Sequence, residues 1–224
     1  MRRLKVYAKT FAFLLIAEII SILLVILMWQ FPGLKFLNPI NQITLLGPAL
    51  AAFLMTFLSK NKSLRNLRFS RINIHVLYVI LIYLLYVAIV AIIQILLGNI
   101  SFHIGSNVFE IYGEAVGFKS FIIKAGLLTI LFSGFGEEIG WRGYLFDELK
   151  GLPYLEMTIL LNVIWALWHL PMFFFGMGHG NVFVSFTLFV IMCIEFGIIL
   201  NYIRMKTNSV FGAILVHPIA NISG

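Results

Sequence analysis

Residues 137–142 read Glu-Glu-Ile-Gly-Trp-Arg and stand inside a chain otherwise made for lipid. Two further polar clusters, Trp165-x-x-x-His169 and His217-x-x-x-Asn221, lie in later apolar segments. A carboxylate at the centre of a membrane helix costs roughly 2.5–3.5 kcal/mol even on the mildest scale, so two adjacent ones need a role. Carboxylates and imidazoles at membrane depth point to proton chemistry, metal binding, or both. Glu138 and Arg142 are four apart, so on a helix they share a face and can pair. Glu137 is then about 100° round and free to point elsewhere. His217 and Asn221 present an imidazole and an amide on one face. Pro218 between them removes a helix hydrogen bond and frees the Ile214 carbonyl. Asn162 lies two turns before His169 on the same face.

The elements that must position these groups are membrane helices. Of 224 residues, 61% are hydrophobic and only 11% charged, against about 25% charged in a soluble domain; mean hydropathy is +1.02. Seven apolar segments can be marked, at about 11–29, 40–58, 75–97, 122–148, 154–175, 182–203 and 209–223. The fourth is carried through the Glu pair to a stop at Gly151-Leu-Pro153. The first is too long for a signal-peptide core of about 7–15 residues, and no Ala-x-Ala site follows, so it reads as an uncleaved span. The expected fold is all-α: a polytopic transmembrane helix bundle of about seven spans, forming one domain over 1–224. Cys193 is the only cysteine, which excludes an intrachain disulfide framework.

Thirteen of the sixteen Lys and Arg residues fall on one side of this arrangement; twelve remain when Arg142 is set aside as intramembrane. Lys35, Lys119 and Lys124 fall on the other. By the positive-inside rule the N-terminus is cytoplasmic and the C-terminus outside. The basic loop 59–72 is expected to meet anionic lipid headgroups, and nothing besides the net charge of +7 points to nucleic acid. The stretch 100–118 reads as an interfacial segment or cap.

Helix rise places the clusters at comparable depth. Glu137 lies roughly 20 Å from the end at Lys150, His169 about 24 Å from Pro153, and His217 about 12–16 Å from Lys206–Ser209. In a core of about 30 Å, all three come near the middle third and can share a cavity. Glu18 and Glu195 are further lone acids within apolar runs.

The order Glu-Glu-x-x-x-Arg, aromatic-x-x-x-His, His-x-x-x-Asn resembles the CPBP family: CAAX prenyl endopeptidases and bacteriocin-processing or Abi membrane proteases. The motif-bearing core runs from about 122 to 224. The resemblance implies that Glu137 is the principal catalytic carboxylate and that His169 works with it. His217 and Asn221 would stabilise the oxyanion, and Glu138 and Arg142 would form a supporting pair. Trp165 stands where the family usually carries Phe, which implies a changed pocket shape. Glu137, His169 and His217 would also make a His₂Glu zinc site with an open position, although the His-Glu-x-x-His signature is absent. The metal-independent glutamate mechanism is the favoured of the two.

Other intramembrane protease chemistries fit less well. Asp147 is the only aspartate, Ser133-Gly134 lacks the preceding glycine of a serine site, and Cys193 has no partner signature. The expected function is an intramembrane endopeptidase acting on a membrane-associated peptide or protein tail, CAAX-like, leader or bacteriocin-type. It would sit in a bacterial plasma membrane as a multi-pass protein. The rival readings are a non-proteolytic bacteriocin-immunity binding protein and a proton-coupled transporter. Against the transporter stands the absence of a detectable repeat.

Overall fold

The computed structural model describes residues 2–30, 43–59, 67–69, 74–98, 100–103, 108–111, 114–117, 129–174 and 180–223. Among the described residues, seven helices fall within the seven apolar segments or close to their bounds. They are α1 (Arg2–Trp29), α2 (Gly47–Leu58), α3 (Ile74–Leu96), the interrupted helix α4, α5 (Tyr154–Met172), α6 (Val182–Thr207) and α7 (Phe211–Ser223). α1, α3, α5 and α6 are long and apolar enough to cross a membrane. This is an integral membrane helix bundle, as the composition required. Segment 122–128 of the expected fourth span and 40–42 of the second lie outside the described residues.

Residues 100–117 carry what the sequence reading did not anticipate. Strands β1 (Ile100–His103), β2 (Val108–Ile111) and β3 (Glu114–Gly117) form a small antiparallel meander in the order β1-β2-β3. Ile100 pairs with Ile111 and Val108 with Gly117. The bundle fold stands, with this three-stranded piece added to it.

Helix α4 is the second departure. It consists of two π-helical runs, Ile130–Glu137 and Ile139–Leu145, continued by an α-helical turn, Phe146–Leu149. The amide of Phe146 bonds the carbonyl of Trp141, five residues back. Such wide turns are rare and concentrate at functional sites, and here they carry Glu137 and flank Glu138. Gly134 makes the close approach of α7 possible: a Cβ there would overlap the Ile214 carbonyl and the Pro218 ring. The carbonyl that Pro218 deprives of its donor is thus turned against the motif helix.

The core sits around α4. Phe13 of α1 meets Trp141 edge-on at 5.5 Å and stacks on Tyr144 at 5.1 Å; Trp141 in turn meets Trp168 of α5 at 5.8 Å. Offset and edge-to-face contacts of this kind add about 0.5–1.5 kcal/mol each beyond area burial. α6 starts on an Asn181 cap, whose side chain accepts from Phe183 N and Val184 N. It ends at Asn208 in the left-handed conformation.

One end of the bundle is tied by ion pairs. Asp147 accepts from Arg204 (2.9 Å), Arg68 (3.1 Å) and Lys150 (3.3 Å), and Lys9 bonds Glu148 at 2.9 Å. Basic residues that the sequence reading assigned to one side therefore gather at one end. Arg204 is buried, with its Nε donating to the Arg142 carbonyl at 2.8 Å. Of the basic loop, Arg68 is described and pairs with Asp147; Lys60, Lys62, Arg65 and Arg71 lie outside the described residues.

Candidate active site

Glu137 is 1% exposed, at the C-terminal end of the first π-helical run. Its Oε2 accepts the indole N–H of Trp165 at 2.7 Å and lies 3.9 Å from His169 Nε2. Trp165 and His169 are one turn apart on α5, and His169 Nδ1 is 2.9 Å from the Trp165 carbonyl. A carbonyl only accepts, so Nδ1 carries the proton and the Nε2 of the neutral ring presents a lone pair towards Glu137. The 3.9 Å gap is too long for a direct hydrogen bond and suits a bridging water that donates to both groups.

Glu138 turns the other way. Its Oε1 accepts from Arg142 Nη1 at 3.0 Å and lies 2.7 Å from His217 Nδ1. Both side chains of the Glu138–Arg142 pair are fully buried. Arg142 is also held by two amides: Nη2 donates to Asn162 Oδ1 at 2.9 Å and Nε to Asn201 Oδ1 at 3.3 Å. Its guanidinium lies 4.6 Å from the Trp165 ring centroid, in cation–π contact. A line of contacts thus runs from Asn201 on α6 through Arg142 and Trp165 to Glu137. Gly197 makes room for it, because a Cβ there would overlap the Asn162 amide.

The two histidines close around the same indole. His217 lies 5.2 Å and His169 6.0 Å from Trp165, ring centre to ring centre. Phe189 of α6 covers His169 at 4.9 Å, and Phe196 covers His217 at 5.8 Å. The surroundings are aromatic and buried, a setting in which electrostatic interactions act strongly.

The structure therefore brings together Glu137, Glu138, Arg142, Trp165, His169 and His217. Asn221 is on α7 one turn beyond His217 and is exposed, outside this hydrogen-bonded cluster among the described residues. Glu195 is exposed on α6, and Glu18 is half-buried on α1. Asn201, Arg204 and Asp147 were not singled out by sequence reasoning. Asn201 and Arg204 are polar residues three apart near the end of an apolar helix, which was the available signal.

The zinc arrangement of Glu137, His169 and His217 is not assembled here. His217 is committed to Glu138, Glu137 Oε2 is taken by Trp165, and among the described residues no three His, Cys, Asp or Glu side chains gather as a metal site. The Glu137–His169 approach is the part common to the glutamate and metal chemistries.

Residues 119–223 match the family model described as type II CAAX prenyl endopeptidase Rce1-like. Over 104 residues the chain is 32% identical to CAAX prenyl protease 2 of Methanococcus maripaludis, a stretch that makes up 43% of this chain. The same stretch spans 38% of the length of that relative. The family-model match covers the part that carries the three motifs.

Proposed function

We propose that this chain, whose residues 119–223 match the type II CAAX prenyl endopeptidase Rce1-like family model, is an intramembrane endopeptidase in which Glu137 activates water. The observation that carries the reading is the buried Glu137 Oε2 held by Trp165 and facing His169 Nε2 across 3.9 Å. A water donating one hydrogen to each group has its lone pair turned away from both, towards a scissile carbonyl. As its oxygen bonds to the carbonyl carbon, Glu137 takes a proton; as the C–N bond breaks, Glu137 returns that proton to the leaving amine. His169 fixes the water and shares its other hydrogen.

Oxyanion stabilisation falls to His217 and Asn221 on α7. With Nδ1 on Glu138, His217 donates from Nε2 only as the imidazolium. Loss of a donor of this kind typically lowers the rate about 10²–10³-fold. The substrate class that fits a site within a helix bundle is the tail of a membrane-associated peptide or protein, CAAX-like, leader or bacteriocin-type. It would be reached from the basic, cytoplasmic end.

The test is cleavage of a library of membrane-associated peptides by the reconstituted protein, with Glu137→Gln and His169→Ala variants and a chelator arm. Cleavage by wild type that both variants lose and a chelator leaves intact is the expected result. Loss on chelation with restoration by zinc would move the chemistry to a metal. Undiminished cleavage by both variants would remove the site assignment.

A further inference from the structure

Glu195, like Glu18, is an intramembrane carboxylate that the catalytic cluster does not use. It stands near the middle of α6, thirteen residues after Val182 and twelve before Thr207. At about 1.5 Å per residue, it is roughly 18–20 Å from either end of the helix. That is the centre of a hydrocarbon core of about 30 Å. The side chain is exposed, and it is not among the hydrogen-bonded or ion-paired groups of the described residues.

Its neighbours on the helix surface make the position unusual. Leu188, Ile191, Met192, Ile198, Ile199 and Tyr202 are 45–61% exposed. At offsets of three, four and seven residues from Glu195, they lie on the same helix face. The carboxylate is thus the centre of an apolar stripe. The opposite face of α6 carries Cys193, Gly197, Leu200, Asn201 and Arg204, which are buried. The stripe therefore points away from the catalytic cluster and is a separate surface.

A carboxylate at this depth is costly against lipid alone, and intramembrane acids pair with opposite charges or polar groups. This chain offers no such partner from its own described cations. Among them, Arg3, Lys9, Arg68, Lys150 and Arg204 are engaged at one end of the bundle, and Arg142 is engaged with Glu138. Lys206, eleven residues beyond Glu195, lies over the Tyr202 ring at 5.6 Å, and Lys5 stands between Arg3 and Lys9 on α1. A second copy meeting the stripe through a twofold axis would set Glu195 against Glu195, a like-charge contact.

We propose that the α6 stripe centred on Glu195 docks a transmembrane helix of another protein that carries a Lys or Arg side chain at mid-depth. The apolar residues pack along that helix, and Glu195 accepts from its cation. The proposal does not depend on the protease reading, because the stripe and the catalytic cluster occupy opposite faces of α6.

The experiment uses the full chain in phosphatidylcholine vesicles with a fluorophore at its N-terminus. The probes are Leu/Ala transmembrane peptides with Lys, Leu or Glu at the central position, read by energy transfer. The expected result is at least tenfold tighter association of the Lys peptide than of the Leu peptide. Both Glu195→Gln and Glu195→Leu abolish that preference, while peptide cleavage and thermal unfolding stay at wild-type values. The Gln variant keeps hydrogen bonding without charge, so its loss of preference assigns the effect to the ion pair. Equal association of the Lys and Leu peptides would overturn the proposal, as would a preference that survives in Glu195→Leu. Glu195-dependent self-association that excludes the Lys peptide would replace the proposed occupant with a second copy.

Discussion

The indole N–H of Trp165 donates to Glu137 Oε2 over 2.7 Å. The family that the motifs resemble usually carries Phe at this position, and a phenyl ring cannot make that bond. The substitution therefore does more than alter pocket shape: it adds a donor to the carboxylate on which the proposed chemistry depends.

Trp165→Phe isolates the donor while keeping an aromatic ring under Arg142 and between the two histidines. Hydrogen bonds to charged groups contribute about 1.5–3 kcal/mol, so kcat is expected to fall about 10–100-fold with KM changed less than threefold. Steady-state kinetics on a cleaved peptide checks this. Wild-type kcat in the Phe variant would show that the contact has no part in catalysis.

Glu138→Gln leaves Arg142 charged and buried without its carboxylate. Breaking one partner of a buried pair typically costs about 3–5 kcal/mol. A lower unfolding temperature in detergent is expected, accompanied by loss of activity, since His217 loses the same carboxylate charge. Glu138→Gln that unfolds like wild type would place the charge balance of Arg142 elsewhere.

Asn201→Leu removes the acceptor of Arg142 Nε, and Asn201→Asp keeps one. An unsatisfied buried donor costs about 1–3 kcal/mol, so the Leu variant should be destabilised by that amount in denaturant titration. It should also lose the Trp165 alignment, seen as a shift of the Trp165 indole N–H resonance assigned with Trp165→Phe. The Asp variant should retain the wild-type resonance position more closely than Leu does. Equal resonance shifts in both would break the proposed line from Asn201 to Glu137.

Gly197→Ala tests the same clamp from its other side. An added Cβ overlaps the Asn162 amide, and overpacking of this kind costs about 1–3 kcal/mol. Reduced stability is expected, together with reduced activity, because Asn162 cannot yield without releasing Arg142. An Ala variant with unchanged stability and turnover would show that Asn162 has room to move.

The sequence made the bundle legible because apolar length identifies a membrane helix: each of the seven segments contains a described helix, four of them long and apolar enough to cross a membrane. It also made the Glu138–Arg142 pair legible, since four-residue spacing survives even in a helix with wide turns. The π-helical form of α4 was not legible: it depends on which carbonyl each amide selects under packing from α2 and α7. The strands of 100–117 are four residues each, too short for alternation to separate them from an interfacial loop. Asn201 could be seen as a polar residue in an apolar run, but its tie to Arg142 depends on the face that α6 turns inward. His217 and Asn221 share a helix and a spacing, yet burial separates them, which spacing cannot report.

The most direct measurement is hydrolysis in ¹⁸O-labelled water by wild type and by Glu137→Gln, with the new carboxyl terminus read by mass spectrometry. The account predicts that wild type incorporates one labelled oxygen per cleaved bond and that Glu137→Gln yields no labelled product above background. Labelled product formed by Glu137→Gln at the wild-type rate would contradict it.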